Sequence, residues 1–139
     1  ISSDPYLYIL NSDTGRILNK ISILSISKPL VSKDKIFLIT KNNLFVCIDV
    51  NSGKIIYSVD INQKVANFLD TDKKKISIKT FALLNNKIFI FLKNSYVIKL
   101  NITSEIDDIF KLPIKIDSLP FFANNSIYYL NKNKLVVLN

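Results

Sequence analysis

The chain has 139 residues, 48% of them hydrophobic, which is enough for one domain with a core and excludes a disordered segment. The formal net charge is +8, but Arg16 is the only arginine, so bidentate contacts to nucleic acid are almost unavailable and we predict no nucleic-acid partner. Histidine is absent and Cys47 is the only cysteine. We therefore predict no intrachain disulfide and no catalytic, cofactor-binding or metal-ligating residue.

Short apolar runs separated by polar turns recur in four segments, at approximately residues 1–21, 27–61, 76–112 and 116–139. The second segment shows the pattern in KIFLITKNNLFVCID, Lys35 to Asp49, where two apolar runs flank a polar turn and the second run ends in an acid. β-branched and aromatic residues are dense, and no helical stripe persists for a dozen residues. The pattern predicts hairpin-joined strands and not helices.

Two of these segments share a turn, in LYILNSDTGRIL and LFVCIDVNSGKIIY. The only two glycines of the chain, Gly15 and Gly53, stand at the equivalent position after Asn11 and Asp49. We predict that the Asn or Asp side chain accepts a backbone hydrogen bond inside the turn. Glycine would supply the positive φ that the turn requires. In the third segment Glu105 stands near this position, so that turn must take another form.

Four strands in a repeat of about 40 residues are typical of a β-propeller blade. The fold class predicted is all-β, with antiparallel four-stranded blades and about three blades in a single partial propeller domain over residues 1–139. The middle repeat interval is longer, and residues 62–75 are predicted as an inserted loop. Because propellers have about four to eight blades, we expect a fragment of a longer protein or a ring closed between chains.

The same stretches resemble the quinoprotein-type, or PQQ-like, propeller repeat. In that repeat an aromatic-rich strand ends in Leu-Asp, a Thr-Gly-Lys turn follows, and the next strand carries tryptophan. The matching residues here are LNSDTGR from Leu10 to Arg16 and IDVNSGK from Ile48 to Lys54. Two further stretches resemble the strands that follow in the family, KPLVSKDKIFLI from Lys28 to Ile39 and LPFFANNSIYYL from Leu119 to Leu130.

The resemblance covers a catalytic branch, the dehydrogenases that bind pyrroloquinoline quinone with a divalent cation, and a non-catalytic, BamB-like branch. The blade tryptophan is missing here, with Asn19 near its place in the first segment and Tyr57 in the second, and there is no adjacent cysteine pair. The resemblance therefore implies a non-enzymatic scaffold without a cofactor. The alternative is part of a quinone-dependent dehydrogenase whose cofactor site lies outside this segment.

The BamB-like branch implies protein partners, among them the β-barrel assembly machinery, and a location in the periplasm or at the periplasmic face of the outer membrane. Exposed strand edges of the first and last blades would also favour self-association. The candidate partner contact lies in the insertion, whose alternative is an ordinary surface loop. Its residues are Val65, Phe68, Leu69, Lys73, Lys74 and Lys75. Lysine-driven binding to an anionic surface, which salt would weaken, is a third alternative.

Overall fold

A computed structural model describes residues 5–124 and 126–138, and within these ranges the chain forms thirteen strands and one helix. The strands build four sheets in which every neighbouring pair is antiparallel and consecutive in sequence. This order follows from the short polar turns, because a tight turn can only bring the next strand back alongside the previous one. The chain divides into two compact units, with the boundary between Lys64 and Val65.

The first unit contains a two-stranded and a four-stranded sheet. The strands of the two-stranded sheet are β1 (Tyr6–Leu10) and β2 (Ile17–Ser22). Those of the four-stranded sheet are β3 (Leu30–Ser32), β4 (Lys35–Ile39), β5 (Leu44–Asp49) and β6 (Ile55–Asp60). Alternate residues of β4 and β5 face one side and pack with β1 into a buried cluster of Ile9, Ile36, Leu38, Val46 and Ile48.

The second unit contains a four-stranded and a three-stranded sheet. The strands of the four-stranded sheet are β7 (Ile78–Leu84), β8 (Lys87–Leu92), β9 (Tyr96–Asn101) and β10 (Ile106–Lys111). Those of the three-stranded sheet are β11 (Phe121–Ala123), β12 (Ser126–Asn131) and β13 (Lys134–Leu138). The buried cluster between these sheets consists of Phe91, Val97, Leu112, Ile116 and Tyr129.

The predicted all-β class is confirmed, and the two complete sheets have the four antiparallel strands expected of blades. Strands at the two ends of the described chain also fall as predicted, since β1 and β2 form a pair and β13 follows β12. The blade boundaries and the single-domain assignment stay predictions. Cys47 is buried on β5, as expected of a small apolar side chain in a strand.

The predicted loop at residues 62–75 is wrong in its first half, because Ile61–Leu69 forms a helix, α1. Asp60 begins the helix, and its Oδ1 accepts the Gln63 N–H at 3.2 Å, as an N-cap residue does. Asp70 ends it with φ +51°, and the Thr71 N–H then donates to the Ala66 carbonyl at 3.0 Å. These two capping hydrogen bonds satisfy backbone groups at the helix ends that have no partner within the helix, and so they favour the helix.

Candidate functional site

The structure places Asn11 and Asp49 at the start of two matching turns. Asn11 Oδ1 accepts the Thr14 N–H at 2.9 Å, and Asp49 Oδ1 accepts the Ser52 N–H at 2.7 Å. In the first turn the Gly15 N–H donates to the Asn11 carbonyl, and in the second the Gly53 N–H donates to the Asp49 carbonyl, both at 2.9 Å. Both glycines have positive φ, +68° and +67°. These four residues form hairpins, and the geometry gives them a structural role.

Asp49 differs electrostatically from Asn11, its counterpart in the first turn, because a carboxyl group ionises and an amide does not. Hydrogen bonds from the Ser52 hydroxyl and the Ser52 N–H, both at 2.7 Å, stabilise the ionised form. These bonds lower the pKa of the Asp49 carboxyl from its usual value of 3.8. The carboxylate of Asp49 is therefore engaged within its own turn.

The third turn takes a different form because it is one residue shorter. Asn101 Oδ1 accepts the N–H groups of Thr103 and Glu105, each at 3.0 Å. The Asn101 N–H donates to the carbonyl of Glu105, so Glu105 takes the place that follows the glycine in the other turns. Ser104 supplies the positive φ, +73°, without being a glycine. The shorter turn therefore keeps the same two features, an Asn side chain that accepts backbone N–H groups and a residue with positive φ.

The candidate partner contact begins on α1 and continues into the extended residues that follow it. Phe68 and Leu69, at the end of the helix, are 47% and 51% exposed. Val65 is half-buried, and Lys73, Lys74 and Lys75 are exposed. An adjacent pair of large exposed apolar side chains is thus followed in the chain, within the second unit, by three exposed lysines. We call the residues Phe68, Leu69, Lys73, Lys74 and Lys75 the helix-end surface.

Two cavities in the second unit are lined by Lys74 and Lys75 of the predicted contact together with three lysines outside it, Lys79, Lys93 and Lys115. A cavity of about 230 Å³ is lined by Lys79, Lys93, Lys115 and Ile116. A cavity of about 510 Å³ is lined by Lys74, Lys75 and Lys93 together with uncharged residues. The lysines come from chain segments up to about 40 residues apart, so no local sequence signal marks the cluster. Only the fold brings them together.

A third cavity of the second unit, about 380 Å³, is mostly apolar. Its walls include Phe89, Phe110, Phe122, Ile127 and Leu138. The same side chains pack at the margin of the buried cluster around Tyr129, and the Phe89 and Phe122 ring centroids lie 5.1 Å apart. This cavity is therefore the outer end of the packing between the two sheets of that unit.

Three ionisable side chains, of which Cys47 and Tyr129 are buried and Tyr57 is half-buried, have raised pKa values. Cys47 and Tyr57 face each other across β5 and β6, and their side chains share a hydrogen bond. Burial raises the pKa of the Cys47 thiol and of the Tyr57 hydroxyl. Burial likewise raises the pKa of Tyr129, whose hydroxyl donates to the Ile114 carbonyl at 3.1 Å. A thiol held in its neutral form is a poor nucleophile, so Cys47 fits a packing role.

Across residues 5–124 and 126–138, no three His, Cys, Asp or Glu side chains are grouped so that they could hold a metal ion. In the same part of the chain no helix has the length and apolar character to cross a membrane.

Comparison with known proteins gives a fold but no family. No family model and no curated protein match the chain. BamB from Moraxella catarrhalis has a similar structure, with a TM-score of 0.65 and 18% sequence identity over 99% of this chain and 41% of BamB. BBS1N, solved in complex with ARL6DN, gives a TM-score of 0.68 and 12% identity over 98% of this chain and 41% of that one. The computationally designed Ika4 protein gives a TM-score of 0.66 and 10% sequence identity over 99% of this chain and 81% of that one.

The fold is that of a partial β-propeller. BamB is a β-propeller, and its similarity runs over almost all of this chain, whose two complete sheets have four antiparallel strands each. The chain spans about two fifths of the BamB and BBS1N structures. At these low identities the similarity defines the fold, and the quinoprotein-type repeat finds no family-model match.

Proposed function

We propose that this chain is part of a non-enzymatic β-propeller scaffold that binds protein partners. The observation that carries the proposal is the helix-end surface, where exposed Phe68 and Leu69 end α1 and exposed lysines follow them in the extended segment before β7. Protein interfaces typically combine an aromatic and aliphatic centre with a polar or charged rim. This segment offers both parts within eight consecutive residues, Phe68 to Lys75.

The residue types of the chain also favour binding over catalysis. Histidine is absent, which removes the usual general base and the base of a Ser-His or Cys-His pair. The thiol of Cys47 is buried, and burial raises its pKa. The carboxylate of Asp49 is occupied by the hydrogen bonds of its own turn. The chain thus contributes surfaces and turns, which are what a scaffold requires.

The proposed partner class is the β-barrel assembly machinery, and the proposed location is the periplasm or the periplasmic face of the outer membrane. Two observations support this choice. The hairpin residues of the two glycine turns resemble the quinoprotein-type repeat, and the fold is similar to BamB over 99% of the chain. Fractionation of cells that express the intact protein would test the location directly, since recovery in the cytoplasmic fraction contradicts it.

The test of the proposed function is binding of the intact protein to the purified machinery of its own organism, followed by biolayer interferometry. Phe68→Asp together with Leu69→Asp should weaken binding at least about tenfold, because a desolvated apolar centre would then carry two charges. The matched control is Ile55→Asp with Ile56→Asp, an adjacent pair on β6 that is 52% and 49% exposed. This control should change affinity less than about twofold.

Two outcomes would contradict the proposal. Wild-type affinity in the Phe68 and Leu69 double variant, with thermal unfolding showing that it is folded, would refute the site proposed on α1. Turnover of alcohols or sugars by the intact protein, supplied with pyrroloquinoline quinone and a divalent cation, would overturn the non-enzymatic function. That result would favour the dehydrogenase alternative.

A further inference from the structure

Five lysines of the second unit form one positively charged surface, which we call the lysine face. They are Lys74, Lys75, Lys79, Lys93 and Lys115, and they line the two cavities of about 230 and 510 Å³. Lys93, in the turn between β8 and β9, lines both cavities and so joins them. The lysines come from the extended segment after α1, from β7, from that turn and from the segment between β10 and β11. The result is an extended concave surface with five positive charges.

No negative charge within the lysine face offsets these lysines. The other residues that line the two cavities are Ile76, Ser77, Asn94 and Ile116, all uncharged. Among the described residues, none of the five lysines forms a salt bridge, whereas Lys87 pairs with Asp107 elsewhere in the same unit. The nearby Asp117 carboxylate is engaged by the Asn131 amide at 3.4 Å and the Lys132 N–H at 3.1 Å. These neutral donors leave Asp117 charged, but Asp117 lines neither cavity, so the lining itself carries positive charges alone.

One of the five charges is held in place by the backbone. The Lys79 ammonium donates to the carbonyl oxygens of Ile116 and Asp117, the latter at 3.1 Å. Ile116 is 1% exposed, so its backbone lies against the core of the unit and does not follow the lysine. A fixed ammonium loses less side-chain entropy when it binds an anion than a freely moving one does. Lys79 thus gives the face one preorganised charge.

We propose that the lysine face binds an acidic peptide segment of the protein partner, one rich in Asp and Glu. This inference rests on the proposed scaffold function and names the chemistry of its partner. Carboxylates suit lysine, which acts as a point charge and forms strong charge-assisted hydrogen bonds. An extended row of charges matches an extended acidic segment. Lys74 and Lys75 belong to both the lysine face and the helix-end surface, so one partner can contact both.

Nucleic acid is a poorer match to the same surface. Single strands are usually held by aromatic side chains that stack on the bases, and no aromatic residue lines either cavity. Arginine, which binds phosphate in a bidentate manner, is also missing from the lining. A short oligonucleotide and an anionic membrane are therefore competing ligands in the test.

The test is fluorescence anisotropy of a labelled eight-residue Asp/Glu peptide titrated with the intact protein. The neutral Asn/Gln peptide of the same length is the ligand control. Lys74→Gln, Lys93→Gln and Lys115→Gln, all at exposed positions, are combined in one variant. The charge-matched control variant combines Lys28→Gln, Lys41→Gln and Lys54→Gln, which are exposed in the first unit. Both variants remove three charges, so only position distinguishes them.

We expect the lysine-face variant to bind the acidic peptide about tenfold more weakly at low salt, and the control variant to stay within about twofold. Binding of the wild type should weaken as salt is raised, and the neutral peptide should not bind. Equal losses in the two variants, or none in either, would overturn the proposal. Tighter binding of an eight-nucleotide dT strand, or of vesicles containing phosphatidylglycerol, through the same lysines would also overturn it.

The two proposals fail in different ways. If the lysine face does not bind the acidic peptide but the Phe68 and Leu69 variant loses the partner, the scaffold function stands and the partner chemistry is wrong. If the acidic peptide binds through the face but the partner complex is insensitive to Phe68 and Leu69, the scaffold site proposed on α1 is wrong.

Discussion

Gly15 and Gly53 occupy the same position in two turns, but their surroundings differ. Both have positive φ, which strains any residue that carries a Cβ. A Cβ at Gly15 would meet nothing within 4 Å, whereas one at Gly53 would lie 2.7 Å from Cγ of Asn19. Asn19 is held near this turn, with its amide 3.5 Å from the Asn51 carbonyl. A side chain at Gly15 would therefore meet backbone strain alone, whereas one at Gly53 would meet backbone strain and a clash with Asn19.

Alanine at the two glycines should give unequal losses of stability. Gly15→Ala should lower the free energy of unfolding by about 1–2 kcal/mol, because only the left-handed backbone is strained. Gly53→Ala should lower it further, since Asn19 must also move. Chemical denaturation of both variants measures the difference. Equal losses would show that Asn19 yields freely and that the close approach has no energetic effect.

Asp49 should make stability depend on acid pH. Its folded-state pKa is lowered by Ser52, so the stabilisation is present above the unfolded value of 3.8 and is lost as the pH falls through the lower folded value. Asp49→Asn should unfold at a slightly lower temperature at pH 7 and lose less stability between about pH 5 and 2. Thermal unfolding across this pH range gives the comparison.

Ser52→Ala tests whether hydrogen bonding causes the shift. Without the hydroxyl, which donates to Asp49 Oδ1 at 2.7 Å, the acid dependence should become shallower while the carboxyl remains. An amide can replace the Asp49 carboxylate in such a turn, because Asn11 Oδ1 in the first turn accepts the Thr14 N–H at 2.9 Å. An Asp49→Asn variant as acid-sensitive as the wild type would contradict the assignment.

At the scale of elements, strands were predictable and the helix was not. Runs such as KIFLI in β4 and KIFIFL in β8 are short, rich in β-branched and aromatic residues, and bounded by polar turns, so the strand signal is local. The helix α1 has only nine residues, Ile61–Leu69, which is too short for a convincing helical stripe. Asp60, the N-cap before Ile61, is the signal for the helix in the sequence, but it is ambiguous because Asp also ends strands in this chain.

Loss of packing on β4 should be costly, because the strand forms the centre of the first unit's core. Leu38 is 0% exposed and belongs to the buried cluster that joins β1 to β4 and β5. Leu38→Ala should lower the free energy of unfolding by about 2–5 kcal/mol through lost burial and the cavity left behind. Leu18→Ala on β2, 57% exposed, is the control and should change it by less than about 0.5 kcal/mol. Urea denaturation compares them, and similar losses in both would refute this core.

At the scale of the whole molecule, β13 is an edge strand that is open to pairing. Among the described residues it has one hydrogen-bonded neighbour, β12, and its Leu135 and Val137 are 58% and 46% exposed. We expect the 139-residue chain to self-associate as its concentration rises, because an unpaired edge is a template for another strand. Sedimentation velocity would detect this association.

A charge on the edge strand should oppose that pairing. Val137→Lys is expected to shift the equilibrium toward the monomer, since natural edge strands use lysine for this purpose. Leu119→Lys adds the same charge at a 69% exposed position outside the strands and should have little effect. A wild-type chain that stays monomeric at high concentration would show that the edges of this fold do not associate.

The sequence by itself determined the strands and the glycine turns, because short apolar runs, turn residues and the steric demand of positive φ act between neighbours in the chain. Asn11 with Gly15 and Asp49 with Gly53 are of this kind. The tertiary structure alone decided that the Gly53 backbone approaches Asn19, that Phe68 and Leu69 are exposed on a helix, and that Lys79, Lys93 and Lys115 line one cavity. Such proximities join residues far apart in sequence, and no local pattern records which distant residues a folded chain brings together.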